Sequence, residues 1–162
     1  MPKPLIANKS EARIVIRKRA RTLELFDGDR KVKKCKMALG FSPIVKKSVE
    51  GDGGTPEGDF YIFTKNEKSS YFLSLGLSYP NVQDAKRGLA ATLITKAEYT
   101  EIVSAVGKKL MPPQHTRLGG EIYIHGGGTE EDWTDGCIAV DDEDMAEIFE
   151  AATVGMLVTI LP

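Results

Sequence analysis

Between residues 11 and 39 apolar side chains fall on alternate positions, Ile14 and Ile16, then Leu23 and Leu25, then Cys35, Met37 and Leu39, with mostly basic residues between them. A period of two sends successive side chains to opposite faces of an extended chain, so the stretch is expected to form a β-hairpin turned at Asp27-Gly28. Cys35 then faces inward, where a thiol behaves as a small hydrophobe. Turn residues crowd positions 51–58 and feed a second extended run, Phe60-Tyr61-Ile62-Phe63, and residues 71–77 read as a third. Near residue 81 the period changes. Asn81 is placed to cap a short helix carrying Val82, Ala85 and Leu89 and stopped by Gly88. Thr95 and Glu98 have capping-box spacing, and Tyr99, Ile102, Val103 and Val106 recur one helical turn apart before Gly107 ends the run. After an irregular connection, residues 121–124 form a strand that delivers His125 at its end. Residues 138–140 are extended again, Asp141 or Asp142 caps a helix with Met145, Ile148, Phe149 and Ala152 on its core face, and residues 156–161 make a final buried strand. About six or more strands with three helices predict a mainly β fold with peripheral helices, a β-sandwich or partly closed barrel. The expected organisation is a tail over residues 1–11 and one domain over residues 12–162.

The length of 162 residues suits a single core, and a net charge of -1 supplies no field for nucleic acid or anionic membrane. The basic residues between positions 13 and 36 alternate with apolar ones, as the solvent face of strands does. No run of about 18 apolar residues occurs, so no membrane span is expected, and the N-terminal residues hold no signal-peptide core. Two cysteines and two histidines lack metal-ligand spacing, and no glycine pattern of a nucleotide site is present, so neither metal nor cofactor is expected.

Chemistry concentrates in Ile124-His125-Gly126-Gly127-Gly128 and Asp132-Trp133-Thr134-Asp135-Gly136-Cys137-Ile138. A thiol needs a base or a cation to become a nucleophile, and His125 is the nearer candidate, because His115 lies among prolines in a loop. The glycines allow a tight turn after the histidine, and Gly136 allows close backbone approach at Cys137. Backbone N–H groups at Asp135, Gly136 and Cys137 are candidate oxyanion donors, each typically worth about 3 kcal/mol. On residue chemistry alone the competing reading is a packed thiol beside an unrelated histidine. His125 to Gly128 also match the lipase oxyanion motif, but the G-x-S-x-G elbow that family needs is missing. Asp141 and Asp142 would raise the thiol pKa if they faced it, so they are expected to point into solvent as helix caps.

The strand ending in Ile-His-Gly followed by Thr134-Asp135-Gly136-Cys137-Ile138 resembles the signature of the L,D-transpeptidase (YkuD-like) catalytic domain. Thr55-Pro56-Glu57-Gly58-Asp59-Phe60-Tyr61 resembles that family's T-P-x-G-x-[YF] segment, and residues 113–120 resemble the loop before its histidine. The resemblance implies cysteine-dependent acyl transfer on peptidoglycan stem peptides, outside the cytoplasmic membrane in the periplasmic or extracytoplasmic space. Carried over by position, it makes Cys137 the nucleophile and His125 the general base, with backbone around residues 134–137, Gly136 included, orienting the histidine and holding the oxyanion. Tyr79, Gly126, Trp133, Thr134 and Asp135 are the implied substrate contacts, with Asn81 and Arg87 as weaker candidates; Tyr79 also reads as a core wall and Trp133 as packing. Ala139 stands where many members carry arginine, and the string around Cys137 is similar to the YafK-like branch. Hydrolysis of a peptidoglycan-linked peptide or lipoprotein is therefore the alternative to transfer, and a non-catalytic wall-binding module is the alternative from another class. Oligomeric state is not legible.

Overall fold

A computed structural model of the chain describes residues 3–162. The first apolar run is three strands rather than one hairpin: β1 (Ala12–Arg17), β2 (Thr22–Asp27) and β3 (Arg30–Lys36). The additional reversal falls at residues 18–21, where Arg21 takes a positive φ of 54°. That turn holds no glycine or proline, so turn composition does not betray it. The remaining strands are β4 (Gly58–Ser69), β5 (Phe72–Leu77), β6 (Tyr123–His125), β7 (Ile138–Ala139) and β8 (Leu157–Leu161). The helices are α1 (Val82–Ala90), α2 (Lys96–Gly107) and α3 (Asp142–Ala151).

All eight strands form one sheet in the order β3-β2-β1-β8-β4-β5-β6-β7. β8 lies parallel to β1 and antiparallel to the first residues of β4, and β4 continues past a register shift after Ile62 to pair with β5. The sheet curls into a half-barrel, and the chain leaving β3 returns to its far edge: Ala38 and Ala139 exchange backbone hydrogen bonds of 2.8 and 3.0 Å. The concave side is filled by Ile14, Leu23, Phe60, Ile62, Leu75 and Ile124, with Met145 and Ile148 of α3 packed on them. Ile6, ahead of the first strand, joins this core. Removing a buried side chain such as that of Ile124 or Ile138 would cost about 2–5 kcal/mol, because the two short strands that carry the site have little else to anchor them.

Both capping sites in the 81–107 region are realised. Asn81 with Asp84, and Thr95 with Glu98, each form reciprocal capping boxes. Gly88 lies inside α1 instead of ending it, where a Cβ would collide with Leu118. The basic residues between positions 13 and 36 are less idle than a solvent face requires. Lys18 is buried and donates to the carbonyls of Val45 and Thr55 and to Glu57, while Lys33 pairs with Asp144 and Glu147 on α3. No described helix is long and apolar enough to cross a membrane.

Candidate active site

Two neighbouring short strands set the geometry. β6 ends on His125, β7 begins just after Cys137, and the two run parallel with Ile124 opposite Ile138. His125 and Cys137 open into one cavity of about 230 Å³, which Tyr71, Trp133, Lys47 and Glu121 also line.

His125 is buried, and its Nδ1 lies 2.6 Å from the Gly126 carbonyl. A carbonyl oxygen only accepts, so Nδ1 carries the proton and Nε2 is left as the basic nitrogen. The orienting carbonyl is thus Gly126, one residue after the histidine, and not a group within residues 134–137 as expected. Two aromatic rings hold the imidazole. Tyr71 stacks on it with centroids 4.8 Å apart and planes at 26°, and Trp133 meets it edge-on at 5.5 Å. Trp133 also packs edge-on against Tyr71 and donates its indole N–H to the Gly128 carbonyl at 3.0 Å. Burial pushes the His125 pKa below its ordinary 6.5 against the opposing pull of the Gly126 carbonyl, so the ring is neutral at pH 7.

The sulfur of Cys137 receives the Tyr123 N–H and donates to the Glu121 carbonyl, both at 3.4 Å. Burial raises its pKa to about 11, outweighing the Tyr123 N–H, which favours the thiolate, while Asp135 pushes it further up. The resting pair is therefore neutral thiol and neutral imidazole. Attack by such a thiol would require a proton transfer to accompany it, not a standing ion pair. Cys35, with a pKa raised by burial to about 12, is a packed thiol facing inward from β3.

The turn before Cys137 is clamped by Thr134. Its hydroxyl donates to the Cys137 carbonyl at 2.7 Å and accepts the Gly136 N–H at 3.1 Å. The Gly136 N–H, one of the expected oxyanion donors, is thus engaged by the Thr134 hydroxyl. Its backbone has φ 142°, and a Cβ there would press on the Gly54 carbonyl. Its own carbonyl accepts the Thr55 hydroxyl at 2.8 Å, and that hydroxyl also receives the Gly40 N–H. The N–H groups of Asp135 and Cys137 have no acceptor among the described residues and remain the candidate oxyanion donors.

Of the expected substrate contacts, Trp133, Thr134 and Asp135 line the cavity. Gly126 offers its carbonyl to His125, and a Cβ on it would collide with the Asp142 carboxylate and the Tyr71 carbonyl. Tyr79 does not reach the cavity: it is fully buried, with its hydroxyl donating to the Leu118 carbonyl at 2.7 Å. Asn81 is occupied in capping α1, and Arg87 donates to the Ser48 carbonyl. Asp141 and Asp142 are exposed and away from the sulfur, yet neither side chain caps α3. Asp142 accepts the Gly127 N–H at 2.9 Å and Asp141 the Thr129 hydroxyl at 3.2 Å, so together they hold the glycine turn. His115 lies exposed beside a separate cleft with Glu98 and Glu101. Among the described residues no three His, Cys, Asp or Glu side chains are grouped to hold a metal ion.

Tyr71, Lys47, Glu50 and Glu121 are the cavity residues that motif and spacing do not mark. Tyr71 enters from the β4–β5 turn and Lys47 and Glu50 from the loop after β3, all far away in sequence, whereas Glu121 lies just ahead of β6.

A search of curated protein sequences returned no match. Among solved structures, the chain superimposes on the helical cell shape determining protein Pgp2 of Campylobacter jejuni with a TM-score of 0.65 at 22% identity, covering 92% of this chain and 46% of that one. Bd1075 of Bdellovibrio bacteriovorus gives a TM-score of 0.62 at 16% identity, covering 98% and 53%. An L,D-transpeptidase from Mycobacterium smegmatis gives 0.56 at 11% identity, covering 94% and 59%. The chain thus spans about half the length of these proteins, and the likeness at such identities is one of fold. The L,D-transpeptidase catalytic domain model, YkuD, matches residues 11–160. Nearly the whole chain is covered by that match, and it belongs to the YkuD family of L,D-transpeptidase catalytic domains.

Proposed function

We propose that the protein is a cysteine acyltransferase acting on peptidoglycan stem peptides outside the cytoplasmic membrane, with Cys137 as nucleophile and His125 as general base. The observation that carries this reading is the pairing of a fixed, neutral imidazole with a thiol on one small cavity. As the sulfur attacks a peptide carbonyl, its proton leaves the Glu121 carbonyl for Nε2 of His125. The Asp135 and Cys137 N–H groups receive the developing oxyanion. Collapse expels the peptide amine, which takes the proton from His125, and leaves a thioester on Cys137. An incoming amine deprotonated by the same imidazole then attacks the thioester, the C–S bond breaks, and the imidazolium returns its proton to the Cys137 sulfur, leaving a cross-link.

Hydrolysis of the thioester by water is the second reading, and Ala139 favours it. This residue is completely buried between β6 and Ala38, so the position where many family members carry arginine offers no cation to an acceptor. Incubation with purified muropeptides followed by mass spectrometry tests the proposal. New cross-links that vanish in Cys137→Ala support transfer, chain release without cross-links selects hydrolysis, and turnover surviving in Cys137→Ala overturns both.

A further inference from the structure

The net charge of -1 conceals a division: ten of the 22 Lys and Arg lie between residues 12 and 36, against three Asp and Glu. Positive charge is thereby gathered on β1, β2, β3 and the turns between them. Positions alternating with the core residues Ile16, Leu23 and Cys35 face outward from the sheet, and there the register sets Arg17 and Lys36 on either side of Thr22 and Lys34 beside Glu24. Glu24 is shared by Arg17 and Lys31, so one carboxylate answers two cations. In the β1–β2 turn Lys18 is spent on Glu57 and Arg21 on Asp132. Arg19 between them is exposed and has no ion-pair partner among the described residues, and the same holds for Lys34 and Lys36.

An apolar loop stands beside that turn, with Arg19 and Ile44 lining one cleft. Ile44 is 95% exposed, and Phe41 and Val45 in the same loop are exposed as well. The backbone beneath them is fixed. Phe41 N–H donates to the Thr134 carbonyl, Ser42 N–H to Gly53 and Val45 N–H to Ser42, while the buried Lys18 ammonium holds the Val45 carbonyl. A tied loop that nonetheless turns three apolar side chains to water marks a contact surface. A soluble polyanion would use the cations and leave Ile44 and Phe41 wet, whereas a bilayer interface rewards both, the apolar side chains at the acyl boundary and the cations at the headgroups. We propose that the β1–β2 turn and the loop at residues 41–45 dock the protein on the surface of an anionic phospholipid bilayer, with Ile44 and Phe41 entering the headgroup region and Arg17, Arg19 and Lys36 over the lipid phosphates. Few groups take part, so the attachment is peripheral and reversible. The Phe41 bond to Thr134 joins the docking loop to the wall of the Cys137 cavity and keeps that cavity close to the membrane.

Cosedimentation with lipid vesicles tests this without reference to turnover. At about 0.1 M salt, where exposed charges still act over roughly 10 Å, the protein should pellet with vesicles of mixed phosphatidylglycerol and phosphatidylcholine and stay in solution with phosphatidylcholine alone. Arg19→Gln and Lys36→Gln should each weaken binding about fivefold, the share of one basic residue at an anionic surface. Ile44→Ser leaves every charge in place and should also weaken it about fivefold or more. These side chains are exposed, so the variants should fold as the unsubstituted protein does. Lys86→Gln, an exposed cation on α1, is the control and should bind unchanged. Failure to pellet with the anionic vesicles overturns the proposal, and retention on dextran sulfate in that case assigns the cations to a soluble polyanion. Vesicle binding that Ile44→Ser leaves intact, or that Lys86→Gln weakens as much as Arg19→Gln does, overturns it too, because charge alone would then account for the attraction.

Discussion

Burial moves the two groups proposed to react in opposite senses on the pH scale: His125 falls below its ordinary 6.5 and Cys137 rises to about 11. A general-base mechanism needs the imidazole neutral and the thiol protonated, which holds across the wide window between these values. The dependence of kcat/KM on pH should therefore show an acid limb with a midpoint below 6.5 and a plateau through neutrality, with no inflection near the ordinary thiol value of about 8.5. Alkylation of Cys137 by iodoacetamide, which reports thiolate directly, should keep accelerating from pH 7 towards about 11. An alkylation rate already level below pH 8 would mean a preformed thiolate–imidazolium pair, and the reading of His125 as base would fail. The stacked Tyr71 ring and the edge-on Trp133 are among the groups that cover His125, so in the proposed reaction they bear on the histidine's pKa as well as its position.

At the scale of elements, the site is a junction of loops held by single side chains. Thr55 lies in the glycine-rich loop before β4, and its hydroxyl ties that loop to Gly136 in the turn before Cys137 and to Gly40 beyond β3. Thr55→Val keeps the shape and removes both bonds, leaving a buried carbonyl and a buried N–H unmet. It should lower stability by about 1–3 kcal/mol in denaturant titration and reduce kcat more than KM, since the turn that positions Cys137 loosens. A loss of stability with kcat unchanged would show the turn to be fixed by Thr134 alone. This junction also explains what was legible beforehand. Capping boxes at Asn81 and Thr95, the strand before His125 and the Thr-x-Gly-Cys turn are local, and each is written in fewer than eight consecutive residues. The turn at residues 18–21 escaped notice because it uses a positive φ at Arg21, a residue type that seldom signals one. Lys47 and Tyr71 gain meaning only by meeting Cys137 and His125 across the sheet, and Tyr79 lost its expected place because the chain around it folds inward onto Leu118.

At the scale of the whole molecule, the half-barrel has its two edges joined at Ala38 and Ala139, and an ion pair beside that seam fastens the catalytic loop to the opposite side of the sheet. Arg21, in the β1–β2 turn, grips Asp132 through Nε at 3.1 Å and Nη2 at 2.8 Å, while Asp132 also accepts the Leu39 N–H at 2.9 Å. Burial alone would raise the Asp132 pKa, but Arg21 and the Leu39 N–H outweigh it and hold the carboxyl below its ordinary 3.8. The unfolded chain therefore binds that proton more readily than the folded one. The resulting stability is present in full above pH about 4 and is lost as pH falls through the folded-state value. Asp132→Asn retains an oxygen for the Leu39 N–H but replaces the charged acceptor of Arg21 Nη2 by an amide NH2, so at pH 7 it should cost about 1–2 kcal/mol, the pair being partly exposed. Denaturant unfolding of the two proteins should show that gap narrowing as pH falls below about 4, whereas a gap constant across the range would assign it to shape rather than charge. Arg21→Met should produce a similar loss at pH 7, and the double variant should lose little more than either single one. Because Asp132 directly precedes Trp133, weakening this seam should also relax the aromatic contact on His125, raising its pKa and moving the acid limb of kcat/KM towards 6.5.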